Sequence, residues 1–210
     1  MSDLSLHFYG ADSGTVVLLA HGAGAGQDSS FMQAMAVGLA DQGCRVGLFD
    51  FPYMQRARRE GRRRPPDRMP RLIESWQRVV EQVVSQGATR LVIGGKSMGG
   101  RVASMIYEDL ADAMGLVCLG YPFHPAGKPD RLRVEHLRRI KKPVLVIQGE
   151  RDALGSRGEV DRYQLPRHFQ VEWLEDGDHS FKPRKASGFT QQQHLQQAIQ
   201  VMAGWFKSMS

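Results

Sequence analysis

The sequence predicts an α/β fold: a mostly parallel sheet of about seven strands with helices on both faces, in a single domain over residues 1–210. Three observations carry that expectation. Short apolar runs alternate with longer helix-like runs along the chain. The apolar runs are continuous, as they are in strands covered on both faces. One of them, Leu91-Val92-Ile93, leads into Gly95-Lys96-Ser97-Met98-Gly99 and then into a helix-like stretch. That is a glycine-punctuated strand-to-helix turn.

The elements follow in order. A strand-like run lies near 4–9. Val16-Val17-Leu18-Leu19-Ala20 is the next, and it ends in the small-residue segment His21-Gly22-Ala23-Gly24-Ala25-Gly26. A helix is expected over 29–41 and a strand over 45–50. Residues 56–71 are rich in arginine and include Pro65, Pro66 and Pro70, so much of that segment reads as loop. The apolar spacing of Leu72, Trp76, Val79, Val80 and Val83 predicts a helix within 67–86. Strands near 90–95, 115–120, 144–148 and 169–174 follow, with helices over 99–111, 131–140 and 190–207. The connection from Tyr121 to Lys142 holds one short helix at most, too little for a cap domain over the site.

The turn at Ser97 has the layout of a nucleophile elbow, in which a sharp turn lifts a serine hydroxyl above the sheet. Flanking glycines relieve the crowding such a turn creates. The pentapeptide alone also fits a closely packed turn without chemistry. A phosphate loop is excluded, because Arg90 stands where that motif needs a glycine. Downstream, Gln148-Gly149-Glu150-Arg151-Asp152 follows one strand and Glu175-Asp176-Gly177-Asp178-His179 follows another. A serine hydroxyl needs a base within hydrogen-bond reach, and the base needs an acceptor to fix its tautomer. Ser97, His179 and Asp152 fill those roles in the order Ser, Asp, His. Asp176 and Asp178 compete with Asp152 but cluster beside His179 itself. For an oxyanion hole, the backbone N–H of Met98 and that of Ala23, in the loop after the early strand, are the expected donors.

On these residues the chain resembles the α/β-hydrolase superfamily. It is most similar to a branch that includes testis-expressed protein 30 and the hydrolase-like domain of the third subunit of the non-specific-lethal chromatin complex, and more loosely to dienelactone hydrolases. The resemblance rests on His21–Ala25, Phe49-Asp50-Phe51-Pro52-Tyr53-Met54, Arg64-Pro65-Pro66-Asp67-Arg68, Gly94–Arg101, Leu119-Gly120-Tyr121-Pro122-Phe123-His124-Pro125, Gln148–Asp152 and Asp176–Ser180. It implies the α/β-hydrolase fold and a hydrolase, and no substrate. Dienelactone hydrolases carry a cysteine at the elbow; this chain has Ser97, so that substrate class does not carry over.

Composition bounds the function. At 210 residues the chain is long enough to bury a full core. No apolar run approaches a membrane span. Residues 1–14 lack a secretory pattern. Cys44 and Cys118 fall in apolar runs, as buried thiols in a reducing compartment do, and a cytoplasmic protein is expected. The remaining histidines show no metal-ligand spacing and no dinucleotide fingerprint appears, so neither metal nor cofactor is implied. His136 and His168 are expected at the surface.

The formal net charge is +6, and residues 56–71 carry all of that excess, with eight arginines against Glu60 and Asp67. Three readings stand: a rim steering anionic acyl substrates, nonspecific contact with nucleic-acid phosphates, and a solvated basic loop. No motif for base recognition supports the second. Beside the nucleophile, Lys96 reads as holding an anionic group or a local carboxylate. His21, Gly22, Gly24, Tyr121 and His124 are further candidates for the pocket wall. The leading expectation is a serine hydrolase acting on a small-molecule ester or thioester. The rival is a catalytically silent scaffold on the same fold.

Overall fold

The computed structural model describes residues 6–12 and 15–209. Among them, seven strands form one sheet: β1 (Leu6–Tyr9), β2 (Val16–Ala20), β3 (Arg45–Phe49), β4 (Leu91–Lys96), β5 (Ala113–Leu119), β6 (Val144–Gly149) and β7 (Phe169–Leu174). Their spatial order is β1-β3-β2-β4-β5-β6-β7, with β1 antiparallel to β3 and every other pair parallel. From β2 the chain moves outward to β3, then returns past β2 and moves the other way from β4. The crevice beyond the carboxyl ends of β2 and β4 is therefore the topological switch point, where ligands bind in open α/β sheets.

Helices cover both faces. Alternate side chains of each central strand point to opposite sides. Val17, Leu19 and Val92 pack with α1 (Ser30–Asp41) and α6 (Gln191–Ser208). Leu18, Ile93 and Cys118 pack on the other face with α3 (Met69–Ser85) and α4 (Met98–Ile106). Trp76 anchors α3, fully buried and edge-on to Phe49 at 4.9 Å. The Ser29 hydroxyl caps α1, and Thr190 and Gln193 form a capping box on α6.

Three elements differ from the expectation. A nine-residue helix, α2 (Pro52–Glu60), occupies ground that reads in part as loop. Pro52 suits its first turn, and Gly61, at φ 64°, closes it in the left-handed conformation. Tyr53 is its only buried residue, so it has almost no apolar stripe to show. The 131–140 helix shrinks to a 3₁₀ turn, His136–Arg139. The buried Val134, Leu137 and Ile140 repeat every three residues, which is the 3₁₀ period. The helix expected to reach residue 111 ends at Ile106 and passes into a 3₁₀ turn. The remaining strands and helices fall within a few residues of their predicted places; positions 4 and 5 of the first strand lie outside the described residues. The connection between β5 and β6 buries Tyr121, Phe123, Val134, Leu137 and Ile140 against the core and forms no cap domain. A further short helix, α5 (Arg157–Val160), follows β6.

Candidate active site

Ser97 sits between β4 and α4 at φ 51°, ψ −114°, a conformation that a side chain tolerates poorly and that persists only where its surroundings impose it. The surroundings do so through glycine. Ala20 of β2 is paired with Gly95, and a Cβ on either Gly95 or Gly99 would collide with the Ala20 carbonyl oxygen. The turn is thus pressed against the end of β2, and the Ser97 N–H is tied to the Leu119 carbonyl at 2.9 Å.

The loops after β6 and β7 bring the other two groups to this turn. His179 Nε2 lies 2.9 Å from Ser97 Oγ, and His179 Nδ1 lies 2.8 Å from Asp152 Oδ2. With Nδ1 protonated toward the carboxylate, Nε2 is left to accept the serine hydroxyl. Asp152 is fully buried. Its Oδ1 accepts the Leu154 N–H at 2.8 Å, and its Oδ2 also accepts from Gln148 Nε2 at 2.9 Å. The two loops lock together: the Arg151 N–H donates to the Gly177 carbonyl, and a Cβ on Gly149 would strike the Gly177 and Asp178 carbonyls. Asp176 binds Arg184 and Arg151, and the Arg184 guanidinium holds its carboxyl down at about 2. Asp178 accepts the N–H groups of Ser180 and Lys182. Both aspartates shape the loop, and Asp152 alone reaches the imidazole.

A cavity of about 470 Å³ opens over Ser97 and His179, walled by the 22–25 loop, Ser29 to Met32, Lys96, Ser180 and Gln191. Gly22, Ala23, Gly24 and Lys96 line it. Lys96 pairs with no carboxylate among the described residues. Its ammonium donates to the His179 carbonyl at 2.5 Å and lies over the Phe31 ring at 5.5 Å. Burial pulls its pKa down to about 8, with Asp152 and Asp178 opposing the fall.

His21, Tyr121 and His124 do not line this cavity. His21 is fully buried under the loop; Nδ1 donates to the Gly22 carbonyl at 2.6 Å and Nε2 accepts the Phe51 N–H at 3.1 Å. Burial holds it below its ordinary pKa, consistent with that neutral tautomer. Tyr121 turns its phenol to the Arg133 carbonyl at 2.9 Å, and His124 packs away from Ser97, 3.5 Å from Glu159. His136 is not a surface residue: it is half-buried, 2.9 Å from Ser104 Oγ, and burial beside Arg101 lowers its pKa to about 4. His168 is exposed, as expected.

Two contributors escape a reading of the sequence. Gln148 is fully buried; its amide donates to Asp152 and accepts the Tyr121 N–H at 2.7 Å, so it holds the carboxylate against β5's exit. Its signal was a polar residue ending an apolar strand. Tyr53 donates its hydroxyl to the Gly22 and Ala23 carbonyls at 3.2 and 3.1 Å. Nothing in its own neighbourhood announces that role.

The arginine segment borders the same loop. Arg58 of α2 grips Asp28 with two nitrogens at 2.5 Å and Asp50 with a third at 2.6 Å, tying the residues after the loop to α2. Asp50 in turn accepts the Gln27 N–H at 2.8 Å.

The sequence matches the model of the alpha/beta hydrolase domain over residues 13–207. Among solved structures it is similar to an alpha-beta serine hydrolase homologue from Coxiella burnetii, with 13% identity and a TM-score of 0.73 over 95% of this chain and 89% of that one. It is also similar to the esterase domain of a Rhodothermus marinus protein, with 15% identity and a TM-score of 0.70 over 97% and 91%. The dienelactone hydrolase of Anabaena variabilis gives 21% identity and a TM-score of 0.69 over 99% and 93%. At these identities the structural likeness speaks for the fold, while the family match spans nearly the whole sequence. The chain belongs to the α/β-hydrolase family.

Proposed function

We propose that the protein is a serine hydrolase that cleaves a small ester or thioester through an acyl-enzyme. Membership of the family makes hydrolysis the reaction class. The observation that carries the serine mechanism is the continuous chain from Ser97 Oγ through both ring nitrogens of His179 to the buried Asp152, with links of 2.9 and 2.8 Å. Ser97 Oγ attacks the acyl carbonyl while its proton passes to His179 Nε2, and Asp152 stabilises the imidazolium at Nδ1. The tetrahedral oxyanion collapses, the alcohol or thiol leaves with the Nε2 proton, and the acyl group stays on Ser97. Water then gives a proton to Nε2 and attacks the acyl carbon. The acid departs and Ser97 regains its hydrogen.

The N–H groups of Met98 and Ala23 hold the oxyanion. Met98 is the first residue of α4, where an N–H has no intrahelical acceptor. In a trans peptide the carbonyl and the following N–H point opposite ways. His21 and Tyr53 draw the Gly22 carbonyl beneath the loop, which turns the Ala23 N–H outward.

The resemblance of the quoted motifs supports assigning the chain to the branch with testis-expressed protein 30. Its two buried free cysteines suit a reducing, cytoplasmic setting. Wild-type protein should release p-nitrophenol from short p-nitrophenyl esters. Ser97→Ala should abolish the release without altering the melting temperature, and full residual turnover in that variant rules out the assignment.

A further inference from the structure

We propose that the natural substrate ends in an anionic group, phosphate or carboxylate, which crosses the Ala23–Ala25 ridge and rests in an arginine-lined basin on its far side. This rests on the serine hydrolase reading of Ser97.

The observation is a pair of adjoining hollows. The 470 Å³ cavity holding Ser97 and His179 shares Ala23, Gly24 and Ala25 with a second hollow of about 460 Å³. All three shared residues are exposed, and none extends beyond a Cβ. The space where Gly24 lacks a Cβ is open for 4 Å. A ligand whose carbonyl sits at Ser97 therefore meets a low ridge in this direction.

The second hollow is basic. Arg58, Arg62, Arg63 and Arg64 line it, with Met54 and Ala57 as its apolar wall. Arg58 is satisfied by Asp28 and Asp50. Arg62 and Arg64 share a single oxygen, Glu60 Oε2, at 3.0 and 2.5 Å. Arg63 has no ion pair among the described residues. Three guanidinium groups on one exposed loop thus face one carboxylate, and guanidinium forks match carboxylate and phosphate oxygens bidentately. Among the described residues, the cavity over Ser97 has no carboxylate in its wall, and the only one lining the second hollow is the Arg58-bound Asp28. A solvated basic loop needs no hollow continuous with a nucleophile.

The test compares kcat/KM for two matched substrate pairs. On the acyl side these are p-nitrophenyl hydrogen adipate and p-nitrophenyl hexanoate. On the leaving-group side they are the butyryl thioesters of phosphopantetheine and of pantetheine. In the triple variant Arg62→Gln/Arg63→Gln/Arg64→Gln, the charged-to-neutral ratio should fall roughly tenfold in at least one pair, the scale of local electrostatic focusing. The affected pair tells carboxylate from phosphate. The wild-type ratio should also shrink as salt rises, because exposed charges are screened beyond about 8 Å at physiological ionic strength. Unchanged ratios in both pairs overturn the inference while turnover of the hexanoate leaves the hydrolase reading standing. No turnover of any of the four substrates by wild-type protein removes that reading and this one with it.

Discussion

Ser97 holds a backbone conformation that costs on the order of 1–3 kcal/mol, and the neighbours that enforce it are residues without side chains. The hydroxyl gains from that strain a fixed position 2.9 Å from the imidazole. Asp152→Asn should therefore slow acylation by about 10⁴-fold, because the amide no longer fixes the tautomer that His179 needs. Asp176→Asn should act on stability and leave acylation within a few-fold, since Asp176 faces Arg184 and Arg151. Burst kinetics on the two variants separate these effects, and a larger loss in the Asp176 variant would contradict the geometry. Tyr53→Phe frees the Ala23 carbonyl and leaves the Gly22 carbonyl to His21 alone. It should lower kcat with little change in KM, and by less than the 10²–10³-fold lost when an oxyanion donor is removed. The three residues of the Ser–His–Asp chain were legible because each follows a strand, in the order this chemistry uses. Gln148 and Tyr53 were not, because each acts through groups brought near only when the sheet assembles. Lys96 misled for a related reason: its nearest acceptor is a backbone carbonyl, 83 positions along the chain, which has no signature in sequence.

Among the elements, the strands were read closely, because apolar runs covered on two faces leave an unbroken pattern. Helix α2 was not, because periodicity reports an apolar face and α2 buries Tyr53 alone. Its role is mechanical: Tyr53 binds the glycine loop from one side, Arg58 ties Asp28 and Asp50 beside it, and His21 braces the loop from below. Helix α3 has the opposite character, with Leu72, Trp76, Val79, Val80 and Val83 all buried. Trp76→Ala should cost about 3–5 kcal/mol of unfolding free energy, as large-to-small changes in packed cores do. Urea denaturation measures it; a cost near that of an exposed substitution would place Trp76 outside the core. The connection after β5 holds a pH-dependent contribution at His136, whose pKa is depressed to about 4 by burial. The unfolded chain takes up this proton near 6.5 and the native one only near 4, so stability is present above 6.5 and is lost as pH falls through that window. His136→Gln should flatten the curve of unfolding free energy between pH 6.5 and 4. An unchanged slope would show that the ring is not protected there.

For the molecule as a whole, the reversal of strand order between β2 and β4 sets where everything else goes. The glycine loop leaves β2, the elbow leaves β4, and the loops after β6 and β7 arrive from the same edge. The sequence carried this arrangement as a series of strand ends; what it did not carry was the ridge shared by two hollows, which exists only once α2 stands beside the glycine loop. Charge distribution follows the same geometry, since the segment that holds the whole formal excess flanks the site. The central claim is that Ser97 is an activated nucleophile, and a fluorophosphonate probe followed by peptide mapping tests it most directly. The expected result is one covalent adduct, on Ser97, in wild-type protein, and none in equally well-folded Ser97→Ala. Folded wild-type protein that takes up no probe, or an adduct on another residue, would contradict the account.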